Sequence, residues 1–311
     1  MVTPGFDQLS VEIKEKAYKL GFDLCGIAKA RVLNERTPVF RQWIAAGMHD
    51  EMDFLVRNTE KRLDPSSLVH GAKSVIVTGL NYYSENLQRK EGVPVISRYS
   101  YGKDYHDVIK PKLTELLDYI KTREPSVEGR IFCDSAPVHE KAWAVEAGLG
   151  WQGRHSVVIN PEIGSFFFIG IIIVDTELDY DQPFRNDLCG NCTLCIDECP
   201  TGAINNNRTI DARKCIANLT IENKTTVPSE YITKLGKRVY GCDRCQEVCP
   251  WNKNAKECRI REFRLADEIA EMDLSDWMEL TEEKYSQLFA GSAIYRKRYK
   301  QFKENIIRIL K

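Results

Sequence analysis

Eight cysteines between residues 189 and 249 follow a spacing that few folds can accommodate. The first run is Cys189-x2-Cys192-x2-Cys195-x3-Cys199-Pro200. Three thiolates this close converge on one four-iron cube, and the fourth, before proline, crosses to a second cluster. A second copy is therefore required. Cys242-x2-Cys245-x3-Cys249-Pro250 supplies it, with Val239 where its first cysteine would fall and Cys215 as the obvious substitute. The ligand sets predicted are Cys189, Cys192, Cys195 and Cys249 for one cluster, and Cys199, Cys215, Cys242 and Cys245 for the other. Soft, anionic sulfur spreads its charge over the iron atoms. Zinc also binds paired C-x2-C motifs, but it fits a close three-cysteine run with a crossed fourth ligand less well.

Disulfides are the other use of eleven cysteines, and the compartment argues against them. Residues 1–10 show neither a basic leader nor an apolar stretch, so a cytoplasmic location is expected. The longest apolar run, 166–174, has nine residues against the roughly 20 that a membrane-crossing helix needs. At 311 residues, 43% hydrophobic and 29% charged, the chain has enough core for two packed units and is far from the signature of disorder. A net charge of −1 excludes a generalised polyanion binder of the strongly basic kind, so contact with nucleic acid must be local.

The fold class predicted is α+β. Apolar spacings of three and four, ending at Gly21, predict a helix over 7–20. Short apolar runs predict strands at 22–28, 74–80, 130–133, 156–160 and 165–174, separated by helices near 35–57, 104–123 and 139–148. After Pro183 the sequence turns cysteine-dense and turn-rich. Three segments are expected: an α/β catalytic domain over 1–180, a ferredoxin-like two-cluster domain over 181–255, and a short helical tail over 256–311. Residues 265–284 hold eight acids and one lysine, and residues 295–311 hold seven Lys or Arg and one Glu. Such runs are usually solvated helix faces; the alternative is a phosphate-contacting patch at Arg296, Lys297, Arg298 and Lys300. Two clusters transport electrons, so the first 180 residues must hold something that consumes them. No Gly-x-Gly-x-x-Gly loop follows a strand and no Gly-Lys-Ser/Thr phosphate loop occurs, which leaves a Rossmann nicotinamide or flavin site without support.

The cluster module combines with Asp134-Ser-Ala-Pro-Val-His-Glu-Lys-Ala-Trp-Ala-Val-Glu-Ala-Gly-Leu-Gly-Trp151 upstream. This combination resembles the epoxyqueuosine reductase family over nearly the whole chain. Further matching pieces begin at Glu60, Tyr101, Asn160, Cys215 and Tyr240. The resemblance implies base-off cobalamin between the α/β domain and the clusters, with electrons from an external donor passing through the clusters to give cob(I)alamin. It implies reduction of epoxyqueuosine to queuosine at the wobble position of a tRNA anticodon loop, by a protein expected to be a monomer. On this carry-over Asp134 is the proton donor, since a carboxyl buried near an apolar corrin edge would have its pKa raised. Taken alone, Asp134 reads as a turn-capping aspartate. Cobalamin contacts implied with it are Arg62, Ser97, Val158 and Ile169, with Thr220 and Asp243 from the cluster side. His106 reads as a buried, hydrogen-bonded structural imidazole.

Two positions depart from the family pattern. Gly153-Arg154-His155 stands where Gly-Lys-Asn is common, and Gly170-Ile171 where Gly-Glu is common. Both are expected near the corrin pocket, where a lost acid and a new imidazole would bear on Asp134. Longer members carry a helical-repeat extension beyond the position of Lys311, so a smaller tRNA surface is expected here. A wobble base lies in a single-stranded loop and is read by stacking and hydrogen bonds while local cations meet phosphates. Lys224, Lys234, Lys237, Arg238 and residues 296–300 are the candidate cations. The alternatives are a reductive dehalogenase, which the lack of a twin-arginine signal disfavours, and a non-catalytic electron carrier.

Overall fold

The computed structural model describes residues 8–310; the ends of two expected segments, Asp7 and Lys311, lie outside them. The run that reads as the longest apolar stretch becomes strand β7, and it is continuously apolar because both of its faces are covered. Its neighbours in chain order are β1 (Leu24–Lys29), β2 (Ser74–Asn81), β3 (Val95–Ile96), β4 (Gly129–Phe132), β5 (Trp151–Gln152) and β6 (Val158–Ile159), then β7 itself (Phe167–Val174) and β8 (Arg238–Tyr240). The main sheet has the order β1-β2-β7-β4, and every pairing in it is antiparallel.

Alternate residues of β2 and β7 serve opposite faces, as the two-residue period of a strand requires. Ile76, Leu80, Ile172 and Val174 meet the helices Gln8–Lys19 and Tyr105–Arg123 through Ile13, Ala17, Ile109, Leu113, Leu116 and Ile120. Val75, Val77, Ile171 and Ile173 meet the helix Glu140–Glu146 through Ala142, Trp143 and Val145. The helix Tyr105–Arg123 starts where Asp104 caps it, the Asp104 side chain accepting from the His106 amide.

The single helix expected over 35–57 is instead two, Thr37–Ala45 and Asp53–Val56. Gly47 (φ +66°) and Asp50 (φ +53°) turn the chain between them, a left-handed geometry that ends a helix. The strand expected over 156–160 shrinks to the two residues of β6, paired only with β5.

The cysteine repeat folds as a repeat. Each copy has a one-turn helix, Leu194–Asp197 or Arg244–Glu247, followed by a Cys-Pro pair. An Arg244–Glu198 ion pair ties the two together. β8 pairs in parallel with β3 and so fastens the cysteine segment to the first half of the chain. The last helices, Glu282–Phe289 and Tyr299–Ile309, bury Tyr285, Phe289, Phe302 and Ile306 in a core shared with Ile96, Tyr101, Val239 and Tyr240. Most of the charge runs faces outward from these packed elements, but Lys297 is buried. Among the described residues no helix is long and apolar enough to cross a membrane.

Candidate active site and cluster centres

A cavity of about 630 Å³ opens where the sheet domain, the cysteine segment and the last helices meet. Val158, Phe167, Phe168 and Ile169 form one wall, and Ile221, Tyr240 and Ala293 face them. Asp134 stands on its rim beside Glu140 and Lys141, with Arg296 and Lys297 across from them.

Local structure fixes where Asp134 points. β4 ends at Phe132 and Cys133 is buried. Asp134 then takes φ +52°, a left-handed turn that Asp tolerates better than most residues. Its carboxylate accepts a hydrogen bond from the Tyr105 hydroxyl. The Tyr105 ring is stacked on Phe168 with centroids 4.3 Å apart and planes 8° apart. Burial, and after it the Asp134 charge, hold the Tyr105 phenol far above its ordinary pKa, so it remains a donor. Behind Tyr105, His106 is buried and hydrogen-bonded to Asp104 at 2.7 Å and to Arg296, the structural role read from the sequence.

The expected burial of Asp134 is not found. Asp134 is exposed to the cavity, whereas Glu140, six residues on, is pushed up to about 8, first by burial and then by the Asp134 charge. Glu140 Oε1 accepts the Asp134 backbone N–H at 2.6 Å. Sequence reasoning passed over both Glu140 and Tyr105, although both lie inside the matching segments; two acids six residues apart, either side of a Pro-containing turn, was the available signal.

The other residues expected to contact the cofactor fall in four places. Val158 and Ile169 share the large cavity with Asp134. Arg62 lines an adjoining opening that also includes Asp134 and Phe54; its Nε is buried without a partner, and burial lowers its pKa against the pull of Glu140 and Asp134. Ser97 and Asp243 line a separate hollow of about 380 Å³ beside Cys242. There the Ser97 hydroxyl is buried and unpartnered, and Asp243 accepts from the Arg98 amide at 2.7 Å. Thr220 is fully buried, donating to the Ile216 carbonyl and accepting from the Gly241 amide at 2.9 Å.

The two departures differ in their surroundings. Ile171 is wholly buried in the core under Trp143 and lines neither opening. His155 is buried, and burial together with the Lys141 charge lowers it to about 4, so it is neutral at neutral pH. Among the candidate phosphate contacts, Lys297 is buried and its ammonium donates to the Ile221 carbonyl at 3.0 Å, whereas Arg296 is half exposed at the cavity mouth. Lys237 and Arg238 line the smaller hollow, Lys224 is exposed, and the Lys234 ammonium sits over the Tyr231 ring.

The cysteines lie in two neighbourhoods. Burial first, and then the charges of Cys189, Cys249 and Cys192, raise the Cys195 thiol; burial first, and then Cys242, Cys215, Asp243 and Cys199, raise that of Cys245. Among the described residues no three His, Cys, Asp or Glu side chains converge closely enough to hold a single ion, as zinc would require. A four-iron cube is a larger body, and eight buried or half-buried thiols suit two of them. N–H donors already point at sulfur: Trp151 Nε1 at Cys189 (3.4 Å) and the Ala203 amide at Cys199 (3.3 Å). Such bonds stabilise anionic sulfur and tune cluster potential. The cavity, with the unpartnered Arg62 Nε in the opening that adjoins it, likewise fits a large ligand with an amide-bearing fringe.

An α+β domain whose acid-bearing cavity is walled by a two-cluster segment defines an iron–sulfur oxidoreductase. Residues 62–135 match the family model for epoxyqueuosine reductase QueG (DUF1730), and residues 188–252 match a 4Fe-4S double cluster binding domain. The chain belongs to the epoxyqueuosine reductase family: it is 45% identical to the epoxyqueuosine reductase of Cyclobacterium marinum over 94% of both chains, and 37% identical to that of Escherichia coli over 96% of this chain and 80% of the other. A crystal structure of epoxyqueuosine reductase with an epoxyqueuosine-modified tRNA-Tyr stem loop superposes with TM-score 0.87 and 30% identity, covering 97% of this chain and 81% of that one. A Bacillus subtilis epoxyqueuosine reductase whose catalytic loop is swung out of the active site matches equally, with TM-score 0.87 and 30% identity over the same shares. Its activity is the reduction of epoxyqueuosine to queuosine, which sets aside the dehalogenase and the electron carrier.

Proposed function

We propose that the 630 Å³ cavity is where the epoxide is opened, and that Asp134 delivers the proton to its oxygen. Opening an epoxide to an alkene consumes two electrons and two protons, breaks both C–O bonds and releases water. When bound, cobalamin supplies the two-electron nucleophile for this step. Val158 and Ile169 would hold its flat apolar face, and the unpartnered Arg62 Nε and Ser97 hydroxyl would meet its polar fringe. The eight thiols of residues 189–249 hold the clusters that carry electrons from an external donor. Asp134, exposed to this cavity, would give its proton to the leaving oxygen. The observation that carries the reading is the position of Asp134: exposed to a cavity whose apolar wall is Val158, Phe167, Phe168 and Ile169, with Tyr105 donating to its carboxylate.

The substrate reaches this rim as an extruded base of a tRNA anticodon loop, with half-exposed Arg296 at the mouth placed to meet a phosphate. The division of labour is a catalytic domain over 1–180, a cluster domain over 181–255 and a helical tail over 256–311 that walls the cavity. The loop carrying Asp134 moves, as the swung-out catalytic loop of the Bacillus subtilis relative does. The deciding variants are Asp134→Ala and Asp134→Asn. Both should keep the iron content and the cobalamin spectrum yet lose about 100-fold or more in turnover, the range of a general acid. Near-normal turnover with either would remove the assignment.

A further inference from the structure

We propose that Glu140 is a positioning residue for the reaction, a latch that holds the Asp134 loop in its working conformation by accepting the Asp134 backbone N–H. The inference rests on the reading of Asp134 as proton donor and explains what keeps that donor in place.

Packing holds the ends of the loop, with Cys133 and Val138 buried and Ala136 against the core, but few hydrogen bonds fix the Asp134 turn between them. Asp134 is at φ +52°, outside the preferred region for a residue with a side chain. The Ser135 amide donates to the Cys133 carbonyl at 2.6 Å and the Val138 amide to the Ala136 carbonyl at 2.8 Å, bonds internal to the loop that would travel with it. Two contacts tie Asp134 to the rest of the protein. The Tyr105 hydroxyl grips the carboxylate, and Glu140 Oε1 grips the main chain at 2.6 Å. The first is lost whenever the carboxylate turns toward substrate. The second fixes the backbone itself and is independent of where the carboxylate points.

Glu140 is well placed for this because its own backbone is rigid. It opens the helix Glu140–Glu146, whose next residues Ala142, Trp143, Ala144 and Val145 are buried against the sheet. The acceptor is thus anchored to the core and the donor to a loop, which is the geometry of a latch. The groups whose charges bear on the Glu140 carboxyl are Asp134 from the loop, Lys141 from its own helix and Arg62 from the helix Thr59–Leu63. Burial, and after it the Asp134 charge, push the Glu140 pKa up, and glutamine is its near-isosteric, neutral substitute with the same acceptor oxygen.

The experiment compares the wild-type holoenzyme with E140A and E140Q, reading hydrogen–deuterium exchange of the peptide spanning residues 133–138 together with kcat and KM for epoxyqueuosine-containing tRNA. In E140A exchange should rise about tenfold or more and kcat fall by a similar factor, with KM within about threefold of wild type, because a hydrogen bond and not a substrate contact is lost. E140Q should restore both the protection and kcat. Iron and cobalamin content check that each variant is loaded. Should E140A fail to assemble its clusters, E140D takes its place, since its carboxyl falls one methylene short of the amide. Unchanged exchange in E140A, or E140Q as impaired as E140A, would overturn the latch. Those outcomes are separate from the role of Asp134, which stands or falls on the Asp134 variants alone.

Discussion

Replacing Tyr105 with phenylalanine deletes one hydroxyl from beneath Asp134 and leaves almost everything else alone. The ring is pinned by stacking on Phe168 (4.3 Å) and by His106 (4.1 Å), and neither contact involves the hydroxyl. What is lost is the bond from Tyr105 to the Asp134 carboxylate. A hydrogen bond to a charged group contributes about 1.5–3 kcal/mol. At about 1.36 kcal/mol per tenfold in rate, that is about 10- to 150-fold if the bond is what orients the acid. The loss should fall on kcat, because the bond removed is the one that orients the proton donor. Single-turnover formation of queuosine, with protein in excess over tRNA under anaerobic reduction, reads it directly. Iron and cobalamin content should match wild type. A Tyr105→Phe enzyme within threefold of wild type, fully loaded, would refute the orienting role and leave the Tyr105–Asp134 contact a packing accident.

Two further outcomes follow from the site. Cys215→Ala removes one ligand of the set containing Cys199, Cys242 and Cys245, so iron should fall from about eight to about four per chain, the content of one intact four-iron cluster, with the Cys189 set undisturbed; an intact eight-iron spectrum would break the ligand assignment. His155 is lowered to about 4 in the folded protein, so between that value and about 6.5 the unfolded chain binds the extra proton and stability rises with pH. His155→Asn should therefore show a shallower loss of apparent Tm than wild type as pH falls from 6.5 to 4.5, and an unchanged slope would contradict the burial argument.

The cluster centres were legible because their signal is local: three cysteines within seven residues and a Cys-Pro in each copy leave little freedom, and the crossing of Cys199 and Cys249 follows from the spacing. The sheet was legible for the same kind of reason. Phe167–Val174 is apolar at nearly every position, since helices cover both faces. The cavity was not, because it is assembled from Asp134, Phe168, Tyr240 and Arg296, residues far apart in sequence that no period connects. Glu140 escaped notice because its role depends on what packs around its carboxyl. Lys297 reads as a surface cation in a basic run, but the helix Tyr299–Ile309 and its neighbours turn it inward to the Ile221 carbonyl. Helix length over 35–57 was overestimated because apolar spacing continues across the turn that Gly47 and Asp50 impose.

The most direct measurement is mass spectrometry of nucleosides from epoxyqueuosine-containing tRNA incubated anaerobically with the protein, cobalamin and a strong reductant. Conversion to queuosine, dependent on cobalamin and abolished in Asp134→Ala, is the expected result. Unconverted epoxyqueuosine, with eight irons and bound cobalamin confirmed in the same sample, would contradict it.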